Sequence, residues 1–220
     1  MNPYKPISPA RTSALTQERR DQLSPDDLIQ LAREGNQRFR LGQLQARDFL
    51  AEMQTSAKGQ HPAAVLLTCI DSRAPAEILL DLGIGDVFNC RIAGNVVNKD
   101  ILGSMEFACQ LSGAKLVVVM GHTSCGAIKG AINNTVLGNL TALLGKIDPA
   151  VEATVYSGER TADNYDFVDA VALTNIELAI TTIRNDSSVL AGLEKAGKIK
   201  IVGAMYNINT GTVDFYDSQG

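Results

Sequence analysis

The sequence contains no tryptophan, only two histidines and only four cysteines among its 220 residues. Four cysteines spread over a chain of this length do not match the dense framework of a small disulfide-rich secreted domain. No apolar run approaches the roughly 20 residues of a membrane-spanning helix, so we expect no membrane segment. The formal net charge is only −4, which gives no sign of a nucleic-acid partner or of an anionic membrane surface.

The N-terminal stretch, residues 1–20, lacks the apolar core of a secretory signal. Its serines, arginines and few acids faintly suggest a transit peptide, but a disordered or partner-wrapping arm is the favoured interpretation. Because the cysteines are best interpreted as functional thiols, we expect a cytoplasmic protein. The composition predicts a globular chain with ample core. We divide it into an N-terminal arm with a helix over residues 1–60 and one α/β domain over residues 61–220.

A helix is predicted over residues 24–39, SPDDLIQLAREGNQRF. Ser24 suits the N-cap, and Pro25 suits the first helical position. Gly35 is expected to weaken the second half of this helix. Residues 42–62 are polar and mixed and end in KGQHP, which indicates a loop; no helix or strand is predicted there. The apolar stripe of the helix consists of Leu28, Leu31, Ala32 and Phe39.

Strand-like and helical segments alternate in the rest of the chain. Strands are predicted over residues 63–70, 86–93 and 114–122, and residues 199–217 form a strand, a turn and an edge strand. This order predicts an α/β fold with a mainly parallel sheet, beginning in the order 2-1-3 and flanked by helices, with an antiparallel edge strand. The predicted helices lie at residues 75–82, 99–113, 124–133, 137–147, 167–184 and 188–197.

Residues that commonly bind metals follow two of the predicted strands. Cys69 and Asp71 end the first strand, and His122 ends the third, with Cys125 three residues later. In an open α/β sheet, sites form beyond the carboxyl ends of strands where the winding direction reverses. We therefore expect both groups to converge on one site. Two cysteines and a histidine suit Zn²⁺, and three protein ligands leave a fourth position for water, as catalytic zinc requires.

Asp71 has two possible partners in this pattern. It lies two residues beyond Cys69, and Arg73 lies two residues further, so their side chains share a face of an extended segment. Asp71 could therefore bind the zinc or pair with Arg73. Buried core thiols and a satisfied histidine are the alternative for Cys69, His122 and Cys125, but the five residues together favour a metal site.

The segments CIDSR and HTSCG together resemble the zinc signature of the β-class carbonic anhydrases, in the plant-type pattern. The resemblance extends from about residue 24 to the C-terminus and includes EGNQRF, RIAGN, DILGSMEF and KIVGAMYN. It implies reversible hydration of CO₂ to bicarbonate and a proton by zinc-bound hydroxide. It implies one zinc per chain, bound by Cys69, His122 and Cys125. It also implies that Asp71 is the fourth ligand in a closed state, or gives way to water when Arg73 holds it.

The same resemblance implies a substrate pocket that two subunits share. The matching residues in this sequence are Gln60, Phe88, Ala93, Phe107 and Gly126. Phe107 stands where the plant pattern has tyrosine, which is a mild departure. Ala93 is smaller than the residue usual at its position, so we expect a roomier pocket. A homodimer or homotetramer is implied. Core packing for the aromatic residues and a plain loop position for Gln60 remain open alternatives.

Other residues are expected to have simpler roles. Cys90 and Cys109 are interpreted as small buried hydrophobic residues, and His61 as an exposed loop residue rather than a proton relay. Some bacterial members of the family bind an inhibitory bicarbonate with a tryptophan and an arginine. Leu66 and Arg91 stand at those positions. Because leucine has no side-chain N–H to bind an anion, we predict that this pocket is absent and that the open state dominates.

Two alternatives to CO₂ hydration remain open from the sequence. Hydrolysis of COS or CS₂ would use the same zinc chemistry, and the width of the pocket would decide between these substrates. A non-catalytic zinc protein that senses bicarbonate would require Asp71 to occupy the fourth zinc position permanently.

Overall fold

A computed structural model describes residues 10–216 of the chain, so the predictions for residues 1–9 and 217–220 lie outside the described part. Residues 10–216 contain one five-stranded sheet with the order β2-β1-β3-β4-β5. The first four strands in that order are parallel, and β5 is antiparallel to β4. The predicted α/β sheet is therefore confirmed. The strands are β1 Ala64–Thr68, β2 Val87–Arg91, β3 Leu116–His122, β4 Lys200–Tyr206 and β5 Val213–Tyr216.

Helices cover both faces of the sheet. Within residues 10–216, no helix is both long and apolar enough to cross a membrane. The α-helices are α1 Gln17–Gln22, α2 Pro25–Arg40, α3 Phe49–Ser56, α4 Ala76–Leu79, α5 Lys99–Glu106, α6 Gly126–Ile132, α7 Gly138–Leu144, α8 Asp148–Ala153, α9 Tyr165–Asp186 and α10 Ser188–Lys195.

The central strands β1 and β3 are buried along their whole length. Alternate side chains point to opposite faces of a strand. Val65 and Leu67 pack beneath α5, α9 and α10, whereas Leu66 and Val118 pack beneath α2 and α4. Burial on both faces explains why these strands have continuous apolar sequences rather than an alternating pattern.

Helix α2 confirms the helix predicted over residues 24–39. The Ser24 side chain accepts a hydrogen bond from the Asp27 amide, and the Asp27 carboxylate accepts one from the Ser24 amide. Pro25 occupies the first helical position. Gly35 also has a role in the packing of this helix. A Cβ atom at this position would overlap the carbonyl oxygen of Leu80, so glycine allows α2 to pack directly on the end of α4.

Two segments differ from their predictions. Helix α3 lies within residues 42–62, for which no regular structure was predicted. Its Glu52 is completely buried and pairs with Arg11 and Arg47, so contacts with residues outside the helix help to stabilise it. The helix predicted over residues 99–113 consists of α5 followed by a π-helical turn, Phe107–Leu111. The proposed boundary between residues 60 and 61 stays a prediction.

Candidate metal centre

Three potential metal ligands lie at the carboxyl ends of two neighbouring strands. Cys69 directly follows β1, His122 is the last residue of β3, and Cys125 precedes α6. Because β1 and β3 are adjacent and parallel, their ends bring these residues together. One potential ligand atom from each residue, the two sulfurs and one imidazole nitrogen, lies within 4.8 Å of the others, and all three residues are buried.

The turn between His122 and Cys125 has an unusual backbone conformation. Ser124 adopts a φ of 56°, in the left-handed region that few non-glycine residues occupy. Its backbone N–H donates to Oδ1 of Asp169 at 2.7 Å, which ties the turn to helix α9. This turn allows Cys125 to return to the same cluster as His122 only three residues later.

The imidazole of His122 is available as a ligand. Its Nδ1 lies 2.9 Å from the backbone oxygen of Thr123, an arrangement in which Nδ1 carries the proton and donates it. Within residues 10–216, the buried Nε2 atom has no hydrogen-bond partner. A buried polar atom without a partner is costly, and a metal ion would satisfy this nitrogen. Two sulfurs and this nitrogen form a donor set that fits Zn²⁺.

The two thiols of the cluster are electrostatically unequal. The sulfurs of Cys69 and Cys125 are 4.0 Å apart, and both cysteines are free. A hydrogen bond from the Cys125 thiol lowers the pKa of Cys69 below its usual range, and the Cys69 thiolate in turn raises the pKa of Cys125. The Gly94 backbone N–H also donates to the Cys69 sulfur, at 3.3 Å. One thiolate, the form that binds metals, is therefore already favoured in the protein alone.

Asp71 faces Arg73 in the structure. Nε and Nη2 of Arg73 donate to the two carboxylate oxygens at 2.9 and 2.8 Å, and the Arg73 backbone N–H donates to Oδ1 at 2.9 Å. The hydrogen bonds to Arg73 lower the pKa of Asp71 to about 2. Oδ2 lies 3.8 Å from Nε2 of His122, so the carboxylate borders the cluster. Pairing of Asp71 with Arg73 is the arrangement predicted to leave the fourth zinc position open to water.

Arg91 has a role that the sequence did not indicate. Its Nε donates to the backbone oxygen of Cys69 at 3.0 Å, and its Nη2 donates to that of Asp71 at 2.6 Å. These bonds tie the end of β2 to the segment that carries the first ligand. Leu66 is buried in the core. The absence of a bicarbonate pocket beside these two residues stays a prediction.

The structure brings two of the five predicted substrate residues together. The rings of Phe88 and Phe107 pack edge to face, with centroids 6.0 Å apart, and Phe107 is 50% exposed. Ala93 is half-buried, and Gly126 is exposed at the start of α6. Gln60 is exposed in the loop before β1. Their roles in substrate binding, including that of Gln60 across a subunit interface, stay predictions.

The remaining cysteines and histidine lie outside the metal-ligand cluster. Cys109 is buried as predicted, and burial raises its pKa to about 12, which makes it unreactive. Cys90 is only half-buried, and desolvation raises its pKa too. His61 is half-buried rather than exposed, and it directly precedes the buried residues Pro62 and Ala63.

Sequence reasoning missed two polar residues of α9 that contact the loops around the cluster. Asp169 binds Ser124, and Asn175 donates to the backbone oxygen of Gly94 at 2.9 Å. An available signal was the position of Asn175 between the apolar residues of a long amphipathic helix. A buried amide is rarely left without a hydrogen-bond partner, and such a position therefore indicates a specific contact.

The geometry agrees with three comparisons to known proteins. The carbonic anhydrase family model matches residues 64–213. Carbonic anhydrase 2 of Mycobacterium tuberculosis is 34% identical over 192 residues, which cover 86% of this chain and 91% of that protein. The crystal structure of the β-carbonic anhydrase CafA of Aspergillus fumigatus is 30% identical, has a TM-score of 0.68, and aligns over 76% of this chain and 81% of its own.

A further structural match concerns the fold alone. The crystal structures of two tetrameric β-carbonic anhydrases from Sordaria macrospora include a chain that is 24% identical to this one and has a TM-score of 0.65. The match covers 74% of this chain and 84% of that one. The strand order, the family model and the more similar relatives together show that this chain belongs to the β-class carbonic anhydrase family.

Proposed function

We propose that this chain is a zinc enzyme that catalyses the reversible hydration of CO₂ to bicarbonate and a proton. One zinc ion per chain would be bound by Cys69, His122 and Cys125. The observation that carries the proposal is the buried cluster of these three residues, in which Nε2 of His122 has no hydrogen-bond partner within residues 10–216. Membership of the carbonic anhydrase family supports the reaction.

The protein residues around the cluster would orient the attacking water. A zinc ion bound there would act as a Lewis acid that makes water nucleophilic near neutral pH. Arg73 holds both oxygens of Asp71 by hydrogen bonds, which also lower the pKa of this carboxyl group. Asp71 can then accept a hydrogen bond from the attacking water and direct an oxygen lone pair toward CO₂.

The proposed substrate pocket is mainly apolar. Phe88, Ala93 and Phe107 would form its wall, and the Gly126 backbone N–H would donate to a substrate oxygen. Gln60 would complete the pocket from the partner subunit of a homodimer or homotetramer. The half-exposed ring of Phe107 supports an interface here, as do the tetrameric structures with the same fold. The cytoplasmic location stays a prediction.

Stopped-flow measurement of CO₂ hydration, combined with a zinc count, tests the proposal. We expect about one zinc per chain, loss of activity when a chelator removes the metal, and recovery when zinc is returned. Faster turnover of COS or CS₂ than of CO₂ would favour the hydrolase alternative. Zinc-loaded protein without turnover of any of these substrates would favour a bicarbonate sensor.

A further inference from the structure

A buried amide on helix α9 contacts the loop that follows β2. Asn175 is only 5% exposed and is followed by the fully buried Ile176. Burying an amide is unfavourable unless it forms hydrogen bonds. Asn175 meets this requirement by donating from Nδ2 to the backbone oxygen of Gly94 at 2.9 Å.

Gly94 connects this amide to the metal-ligand cluster. Its carbonyl accepts from Asn175, and its N–H donates to the sulfur of Cys69 at 3.3 Å. Gly94 has a φ of 66°, in the left-handed region that glycine adopts without strain. A Cβ atom there would lie 2.7 Å from Cδ1 of Ile147 and 3.2 Å from Cβ of Ala127. The backbone can therefore occupy this position only because residue 94 lacks a side chain.

We propose that Asn175 is a positioning residue for the metal-binding thiolate. By holding the carbonyl of Gly94, it fixes the N–H of the same residue on the Cys69 sulfur. The hydrogen bond then orients the sulfur and balances part of its negative charge. This inference rests on the proposed zinc site. Groups that orient a metal ligand in this way typically change metal affinity by about 10- to 100-fold when they are lost.

The chain contains a matched control for Asn175. Asn36 on helix α2 is also buried, at 4% exposed. Its Nδ2 donates to the backbone oxygens of Leu79 and Gly211, at 3.1 and 2.9 Å. Asn36 therefore has the same side-chain chemistry, but its partners lie at the end of α4 and between β4 and β5, away from the loop that contacts Cys69. A purely structural role for Asn175 would make the two residues equivalent in every assay of the metal site.

The experiment compares Asn175→Leu and Asn36→Leu with the unsubstituted protein. Zinc affinity is measured by competition with a chromophoric chelator. The amide resonance of Gly94 is followed by NMR in the zinc-loaded and metal-free proteins. For Asn175→Leu we expect about 10- to 100-fold weaker zinc binding and an upfield shift of the Gly94 amide proton. For Asn36→Leu we expect lower stability with zinc affinity unchanged and no shift at Gly94.

The outcomes separate this inference from the proposed function. If the unsubstituted protein binds zinc and Asn175→Leu matches it in affinity and in the Gly94 resonance, the positioning role is wrong and the zinc site stands. If the unsubstituted protein binds no zinc, the proposed function fails. Should Asn175→Leu not fold, Asn175→Ser replaces it, because the short serine side chain cannot reach the Gly94 carbonyl in the same geometry. The zinc affinity and the Gly94 amide resonance of Asn175→Ser then test the positioning role.

Discussion

At the scale of single residues, the thiol of Cys125 is expected to be necessary for metal binding. Cys125 is buried beside Cys69 and His122 and supplies one of the three potential ligands that form the cluster. Replacing its sulfur by a hydroxyl removes a strong zinc donor. We expect elemental analysis of Cys125→Ser to show that most of the zinc is lost.

The half-buried Cys90 provides the control, because it lies outside the cluster. Cys90→Ser should retain about one zinc per chain. Full retention of zinc by Cys125→Ser would contradict the assignment of this residue as a ligand.

Arg73 is expected to act on catalysis rather than on metal binding. It holds both oxygens of Asp71, whereas none of its own atoms belongs to the ligand cluster. Arg73→Ala should therefore keep its zinc and lose about 10- to 100-fold in CO₂ hydration, because Asp71 is free to turn toward the metal. The exposed Arg40 at the end of α2 supplies the control, Arg40→Ala.

The loss of activity in Arg73→Ala should not depend on pH near neutrality. Arg73 lowers the pKa of Asp71 to about 2, so its removal raises that pKa toward the ordinary value of about 3.9. Asp71 would still be ionised near neutral pH. The loss of activity should therefore persist across the neutral range, and recovery of normal turnover between about pH 7 and 8 would contradict an orienting role.

At the scale of secondary-structure elements, Gly35 is expected to control how α2 packs on α4. Alanine normally stabilises a helix interior relative to glycine by about 0.5–1 kcal/mol. At Gly35 a Cβ atom would overlap the Leu80 carbonyl oxygen, so α2 would have to move. We expect Gly35→Ala to lower the free energy of unfolding, measured by urea denaturation.

Gly192 in helix α10 provides the matched comparison. A Cβ atom there would meet nothing within 4 Å. Gly192→Ala should therefore raise the free energy of unfolding by about 0.5–1 kcal/mol. If both alanine substitutions stabilise the protein, the packing of α2 on α4 does not require glycine at position 35.

At the scale of the whole molecule, activity is expected to require assembly. Phe107 and Leu111 are separated by one helical turn and are 50% and 76% exposed. Charge introduced on such a surface should weaken an apolar interface. We expect Leu111→Asp to shift the sedimentation velocity toward that of a monomer and to reduce CO₂ hydration in parallel. Leu41→Asp, at an exposed residue after α2, serves as the control. A fully active monomer at assay concentration would contradict the shared pocket.

The sequence by itself determined the parallel sheet and the convergence of the ligands. Continuous apolar runs such as residues 63–70 indicate strands that are covered on both faces. Since Cys69 and His122 end such strands, adjacency of β1 and β3 was enough to place them together. Both conclusions depend on patterns within short segments, together with a general rule about where open sheets form their sites.

Only the tertiary structure decided the contacts that hold the cluster in place. Arg91 binds the backbone around Cys69, and Asn175 reaches Gly94 from a helix 81 residues further along the chain. Helix α3 likewise depends on buried pairing of Glu52 with arginines outside the helix. Each of these contacts joins a side chain to a group outside its own helix or strand. Their geometry depends on how complete elements pack, which no local pattern of polar and apolar residues specifies.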